Sequence, residues 1–248
     1  NGETVTGLDI DYNGNPAGYT LDPQEQIVYI DKHDNETLFD NIVYRWPIGA
    51  TAYDIARMQI VSTSFVMYSQ GLPFFQAGTD MLRSKSMDRD SYNSGDWFNR
   101  LDWTYQTNNF RVGLPPADKN EEQFDLIRPV LDNEALVPTQ DEILLSVNAF
   151  REMLHIRYSS PLFRLQTAEQ IQERLTFLNT GPEQLPGVIV MMLDDTVGEN
   201  LDENYQKIVV IFNARPDMLE YSVDDFAGQT FELHPVQQNS YDEVAKTA

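Results

Sequence analysis

Three polar residues in a row, His33-Asp34-Asn35, follow the apolar run QIVYI at 26–30. The run is β-branched and aromatic, which is typical of a buried strand. A carboxylate beyond the end of such a strand can bind sugar hydroxyl groups more tightly as a sugar ring flattens, and a neighbouring imidazole can donate to another hydroxyl. The same residues also suit an Asx turn that caps the next segment. Taken alone, these three residues leave both interpretations open.

A second candidate region, LRSKSMDRDSYNSGDWFNRLDW at 82–103, alternates charged and aromatic residues. Aromatic faces stack on sugar rings and charged forks bind hydroxyl pairs, so this mixture suits a carbohydrate site. The alternative is a solvated loop whose charges form exposed ion pairs of little energetic value. The charged residues in question are Arg83, Lys85, Asp88, Arg89 and Asp90.

The composition excludes several classes of function. The 248 residues carry 39 acidic and 17 basic side chains, a formal net charge of −22. A nucleic-acid partner or an anionic lipid surface would require the opposite charge, so we predict neither. No stretch approaches the length of an apolar membrane span, so none is predicted. The chain has no cysteine and three histidines, which argues against zinc-thiolate and multi-histidine sites. We therefore predict no metal and no cofactor in this chain.

Two helices are predicted from capping boxes. One, over 51–70, begins with Thr51 and Asp54, and the other, over 139–160, begins with Thr139 and Glu142. In each pair the threonine and the acidic residue three positions later can satisfy each other's free backbone N–H groups.

The elements that position the polar residues form a strand, a helix and a second strand, the last at 72–75. This order indicates a βαβ unit and a parallel sheet. In a parallel α/β barrel the catalytic groups lie at the carboxyl ends of the strands, which suits His33-Asp34-Asn35. After Pro161 the runs LTFLN, GVIVMML and KIVVIFN are separated by turn residues, which indicates an antiparallel sandwich. We place a domain boundary near Ser160.

Several segments resemble a known family. YIDKHDNETLFD at 29–40 is similar to the fourth signature of the α-amylase superfamily of glycoside hydrolases. The segment 71–116, with LRSKS and DSYNSGDWFNR, resembles the type I pullulanases and limit dextrinases, and the resemblance covers essentially the whole chain. It implies the C-terminal part of a (β/α)8 TIM barrel over 1–160, followed by an antiparallel β-sandwich domain over 161–248.

The resemblance also implies roles for individual residues. Asp34 corresponds to the carboxylate that stabilises an oxocarbenium-like transition state. His33 corresponds to a ligand of the −1 sugar, and Asp96 with Arg100 to the pair that lines the −2 subsite. The implied substrate-binding residues are His33, Asn35, Arg83, Asp96, Trp97 and Arg100.

The activity that the resemblance implies is cleavage of α-1,6-glucosidic bonds in pullulan, amylopectin and limit dextrins, with retention. A retaining glycosidase needs a nucleophile and a general acid. The family's motifs for both are absent from this sequence, so we expect them upstream in a longer enzyme, with this chain inactive alone. The expected partners are the α-glucan substrate and the remaining N-terminal part of the same enzyme.

Other features of the complete protein stay open. Calcium is compatible with the complete enzyme, and the expected location is extracellular or periplasmic in a bacterium and the plastid in a plant. Two alternative functions also remain. One is a non-catalytic glucan-binding or structural module, and the other is an α-1,4-acting relative in the same superfamily, which fits the 82–103 loop poorly.

Overall fold

The structure, a computed structural model, describes residues 5–45 and 49–247. Its strands are β1 (Asp11–Tyr12), β2 (Asn15–Pro16), β3 (Ile27–Val28), β4 (Leu72–Pro73), β5 (Leu175–Phe177), β6 (Val188–Asp194) and β7 (Lys207–Asn213). Its α-helices are α1 (Leu38–Arg45), α2 (Ala52–Tyr68), α3 (Asp96–Asn99), α4 (Ala117–Asn120), α5 (Phe124–Asp132), α6 (Gln140–Ser159), α7 (Ala168–Arg174), α8 (Pro235–Gln238) and α9 (Glu243–Lys246). In the described residues, no helix combines the length and apolar character needed to cross a bilayer.

The residues group into two compact units. The first takes the described parts of 1–28, 68–73 and 156–232, and the second takes those of 29–67, 74–155 and 233–248. The division of the chain into domains over 1–160 and 161–248 stays a prediction.

Both predicted long helices are present and begin where their capping boxes indicate. The Thr51 backbone N–H donates to Asp54 Oδ2 at 2.8 Å. The Thr139 backbone N–H likewise donates to Glu142 Oε2 at 2.8 Å. These bonds satisfy N–H groups that have no partner inside the helix, which explains the sharp start of α2 and α6.

The first unit contains the predicted parallel pair. Strand β3 pairs with β4 in parallel, with Ile27 opposite Leu72 and Val28 opposite Pro73. The strands are shorter than the apolar runs that predicted them, because a ladder extends only where a partner strand runs alongside. The predicted parallel pairing of the two strands is confirmed, whereas the barrel that would contain it stays a prediction.

The same unit contains the predicted antiparallel strands. The sheet order is β5-β6-β7, and the β6–β7 register runs from Val188 opposite Asn213 to Asp194 opposite Lys207. Val190 and Leu193, which point to opposite faces of β6, are both fully buried, so both faces of this strand are covered there. The second layer of a sandwich stays a prediction.

The second unit has a core that includes part of a loop. Helix α1, which was not predicted from the sequence, buries Phe39 and Val43 together with Met81, Leu82 and Met87. Backbone polar groups in this loop are satisfied by side chains, as when Asn108 Nδ2 donates to the Leu82 carbonyl at 2.8 Å. The stretch 79–138 therefore contains an ordered loop in spite of its irregular sequence, because buried loops must pair their backbone groups.

Candidate functional site

The segment 31–35 is anchored at its first residue. Thr79 Oγ1 donates to Asp31 Oδ1 at 2.9 Å, and the Leu38 backbone N–H donates to Oδ2 at 3.2 Å. Burial of this carboxyl raises the pKa of Asp31 above its usual value, although the same hydrogen bonds oppose the shift. The amide of Gln76, with its nitrogen toward the Lys32 carbonyl, adds a 2.9 Å bond there. The start of the segment is therefore attached to the loop at 76–79.

His33 and Asp34 lie next to each other and are exposed to solvent. The Asp34 side chain is 59% exposed, and its Oδ1 lies 3.4 Å from His33 Nε2. Its Oδ2 accepts a hydrogen bond from the Lys32 ammonium. This bond, and next the charge of the His33 imidazole, lower the pKa of Asp34. The structure thus presents a carboxylate that is ionised at neutral pH and accessible to a ligand.

The backbone around Asp34 is held by a buried lysine. Lys85 Nζ donates to the Asn35 carbonyl at 2.6 Å and to the His33 carbonyl at 3.3 Å. Asn35 has a left-handed backbone with φ of 62°, so the chain turns sharply there. Lys85 is only 1% exposed and Asp88 is fully buried, so the interpretation of these two charges as exposed ion pairs is wrong.

Lys85 is in turn attached to helix α1 through Asp40. Asp40 is fully buried, and its Oδ1 accepts from Ser84 Oγ at 2.5 Å. Its Oδ2 accepts from the Lys85 backbone N–H at 2.8 Å. Burial raises the pKa of Asp40 to about 6, even though these hydrogen bonds favour the ionised form.

Three of the predicted residues, Asp96, Trp97 and Arg100, line a cleft together with Asn99. These four residues surround a volume of about 270 Å³. Trp97 is largely exposed, and its indole Nε1–H donates to the Val112 carbonyl at 2.8 Å, which orients the ring. An exposed aromatic ring held in place beside charged groups is suited to stack on a sugar.

The charged residues of this cleft are available to a ligand. Asp96 and Arg100 are both exposed. Among residues 5–45 and 49–247, neither has an ion-pair partner within 4.0 Å. A carboxylate and a guanidinium on one small cleft can together accept from and donate to a pair of hydroxyl groups.

Arg83 is only partly exposed and bonds the backbone of the cleft. Its Nη1 donates to the Ala77 carbonyl at 3.3 Å and its Nη2 to the Asn99 carbonyl at 3.2 Å. Arg83 therefore supports the cleft, whereas Lys85, two positions further on, supports the Asp34 segment. Direct contact of Arg83 with substrate stays a prediction.

Three residues support the site in a way that the sequence did not predict. Lys85 and Asp40 position the Asp34 segment, and Asn109 Nδ2 donates to the Trp97 carbonyl at 3.1 Å and the Phe98 carbonyl at 3.3 Å. The charge pattern around Lys85 was visible, but pattern alone does not distinguish a buried lysine from an exposed one. In the described part of the chain, no group of three or more His, Asp or Glu side chains is placed to hold a metal ion.

Comparison with known proteins agrees with the resemblance seen in the sequence. The family model for alpha-1,6-glucosidases, pullulanase-type, C-terminal, matches residues 105–248. Among curated proteins, the chain is 47% identical over 99% of its length to chloroplastic pullulanase 1 of Arabidopsis thaliana. It is 41% identical over 96% of its length to the pullulanase of Klebsiella pneumoniae.

Solved structures give the same result. The fold matches the crystal structure of apo pullulanase from Klebsiella pneumoniae with a TM-score of 0.87 and 42% identity, over 94% of this chain. A structure of that enzyme complexed with maltotriose matches equally well. The chain spans about a quarter of the length of these relatives, 26% of the Arabidopsis protein and 25% of the apo crystal structure chain.

Proposed function

The chain belongs to the family of pullulanase-type alpha-1,6-glucosidases, whose C-terminal region it matches, and from this premise we propose that it forms part of an enzyme that cleaves α-1,6-glucosidic bonds. The proposed substrates are pullulan, amylopectin and limit dextrins, with retention at the anomeric carbon. The nucleophile and the general acid of this reaction are proposed to lie on sequence preceding this chain. The observation that carries the proposal is an exposed, ionised Asp34 beside His33, on a segment fixed by buried contacts.

In the proposed mechanism, the Asp34 carboxylate stabilises the positive charge that develops on the sugar ring. Cleavage of a glycosidic bond passes through a flattened, cationic sugar ring. A fixed carboxylate next to that ring stabilises the developing charge without having to reorganise. His33 and Asn35 would bind hydroxyl groups of the same −1 sugar, and His33 is favoured in this role by its exposure and its closeness to Asp34.

The cleft around Trp97 is proposed as the −2 subsite. Trp97 would stack on the sugar, while Asp96 and Arg100 would bind its hydroxyl groups. Arg83 would contact substrate and also support this cleft from below, since it bonds the Asn99 carbonyl. That a relative has been crystallised with maltotriose supports an α-glucan ligand for this chain.

The finer architecture is proposed on the same basis. Residues 1–160 would complete a (β/α)8 barrel with strands from the preceding part of the protein, and residues 161–248 would form a β-sandwich. No cofactor is proposed for this chain, and any calcium of the complete enzyme would be held by residues outside it. Relatives include a chloroplastic plant protein and bacterial proteins, which supports a plastid or an extracellular or periplasmic location.

The proposal is tested by replacing the Asp34 carboxylate in the full-length protein. With pullulan as substrate, Asp34→Asn is expected to lower kcat by about 100- to 1,000-fold, because the amide cannot stabilise a cationic ring. KM should stay within about threefold, since the neutral substrate gains little from the charge. Asp132→Asn, at an exposed position ending α5, is the matched control and should keep the original kcat.

Three results would contradict the proposal. A near-normal kcat in Asp34→Asn would remove Asp34 from the catalytic set. Products in which the α-1,6 bond of pullulan survives would indicate α-1,4 cleavage instead, whereas maltotriose as the product supports α-1,6 cleavage. Full-length protein that binds pullulan but never releases sugar would favour the glucan-binding module.

A further inference from the structure

We propose that Lys85 is a positioning residue of this site, whose buried ammonium group fixes the backbone on both sides of Asp34 and thereby the place of its carboxylate. This inference rests on the proposed function, in which Asp34 stabilises the transition state. Lys85 itself would not touch the substrate, because it is almost completely buried.

The contacts of Lys85 are directed at the neighbours of Asp34. Its ammonium donates to the carbonyl of the preceding residue, His33, at 3.3 Å and to that of the following residue, Asn35, at 2.6 Å. A lysine ammonium has three donors, so one group can hold two carbonyls at once. The His33 carbonyl belongs to the peptide group that precedes Asp34, and the Asn35 carbonyl belongs to the peptide group that follows Asn35. Holding both leaves the short backbone between them, which includes the Asp34 Cα, little freedom to move, so the side chain starts from a defined point.

The backbone of Asn35, whose carbonyl Lys85 bonds, is in an unfavourable conformation that other contacts must stabilise. Asn35 has φ of 62°, in the left-handed region that a non-glycine residue occupies at some energetic cost. Backbone in such a region persists where surrounding contacts determine it, and it is often found at functional sites. The charged bond to the Asn35 carbonyl is such a contact, since hydrogen bonds from an ionised donor are stronger than neutral ones.

Lys85 is itself held on a rigid support. Its backbone N–H donates to Asp40 in helix α1 at 2.8 Å. The residues on either side are also fixed, because Ser84 Oγ donates to Asp40 at 2.5 Å and Ser86 Oγ donates to the Gly113 carbonyl at 2.6 Å. A continuous set of hydrogen bonds thus leads from a buried helix to the segment that carries Asp34.

The test uses Lys85→Met in the full-length protein, alone and combined with Asp34→Asn. Methionine keeps a long unbranched side chain but has no donor. We expect kcat on pullulan to fall by about 10- to 100-fold, as expected for a displaced catalytic group, with KM within about threefold. In the Asp34→Asn background the same substitution should change kcat by less than about twofold, because Lys85 acts through that carboxylate.

The controls separate positioning from general damage. Lys119→Met removes an exposed ammonium in the same unit, 3.9 Å from Asp90, and should leave kcat unchanged. Lys85→Gln keeps a polar donor in the buried position and should give a kcat between those of the original protein and Lys85→Met. This second variant decides the question if Lys85→Met does not fold.

Three outcomes would overturn the inference. An unchanged kcat in Lys85→Met would do so, and so would an equal loss with and without Asp34. If Asp34→Asn itself has normal kcat, the proposed function fails as well, whereas a loss in Asp34→Asn with none in the Lys85 variants refutes only the role of Lys85.

Discussion

Asp34 and Asp40 are six positions apart and have opposite pKa shifts, so the local environment and not the residue type decides what each carboxyl does. Asp34 is exposed beside Lys32 and His33, which lower its pKa. Asp40 is fully buried, and the loss of hydration raises its pKa to about 6. The first suits contact with a cationic sugar ring, and the second serves as an acceptor inside the protein.

The raised pKa of Asp40 predicts a dependence of stability on pH. Its pKa in the folded protein lies above the ordinary 3.8. Between about pH 4 and pH 6 the folded state therefore binds more protons than the unfolded state, and the free energy of unfolding falls as pH rises through that window. Asn at this position can accept from the Lys85 N–H and donate to Ser84 Oγ without a charge. The free energy of unfolding of Asp40→Asn, taken relative to that of the original protein, should therefore rise by on the order of 3 kcal/mol from about pH 4 to pH 7.

Apparent melting temperatures of both proteins, measured across that pH range, check this prediction. The cations Lys85 and Arg83 and the phenol of Tyr44 also sense the charge on Asp40, and they are the same in both proteins. A difference between Asp40→Asn and the original protein that stays constant across this range would show that Asp40 does not titrate in it.

At the scale of elements, a glycine ends the three-residue link, 69–71, that leads into strand β4. Gly71 has φ of +91°, and a Cβ at this position would lie 3.0 Å from the Gln26 carbonyl oxygen. That oxygen accepts the Leu72 N–H bond at 2.9 Å, next to the β3–β4 ladder. The parallel pair thus depends on a residue without a side chain at this turn.

Gly71→Ala should destabilise the protein by about 2 to 3 kcal/mol, through the left-handed backbone and the close approach together. Gly14→Ala is the matched control, since Gly14 has φ of +83° and nothing within 4 Å of the added Cβ. Its cost should be about 1 to 2 kcal/mol, from the backbone alone. Equal losses in apparent melting temperature for the two variants would show that the Gln26 carbonyl moves away from the added Cβ at little energetic cost.

At the scale of the whole molecule, the chain leaves apolar strand residues uncovered. Ile27 in β3 is 56% exposed and Leu72 in β4 is 49% exposed. In the described part of the chain these two strands pair only with each other. Exposed apolar residues on an open parallel pair are unusual, because parallel sheets are normally covered on both faces. The relatives are about four times longer, so their preceding sequence is the proposed cover.

We therefore predict that this chain alone releases no sugar from pullulan and does not elute as a well-behaved monomer in size-exclusion chromatography. Co-expression with the preceding part of the enzyme should give a stable complex that cleaves pullulan. The control is co-expression with an unrelated acidic protein, which should restore neither property. A compact, monodisperse monomer of the chain alone would contradict the prediction.

Much of this protein follows from the sequence by itself. The capping boxes at Thr51 and Thr139 located the starts of the two long helices, because capping depends on residues three positions apart. The apolar runs located β3, β4 and the three antiparallel strands. The closeness of His33 and Asp34 and their position after a strand were also readable, since neighbours in sequence remain neighbours in space.

Only the tertiary structure decided what is buried and what supports the site. Lys85 lies 50 positions from the Asn35 carbonyl that it bonds, and Asn109 lies 12 from the Trp97 carbonyl. Strand lengths likewise depended on partners far along the chain, so β3 and β4 are shorter than their apolar runs. Charge and hydropathy patterns describe what a residue prefers locally. Burial of a lysine or a carboxylate depends on whether distant groups arrive to replace the water it loses.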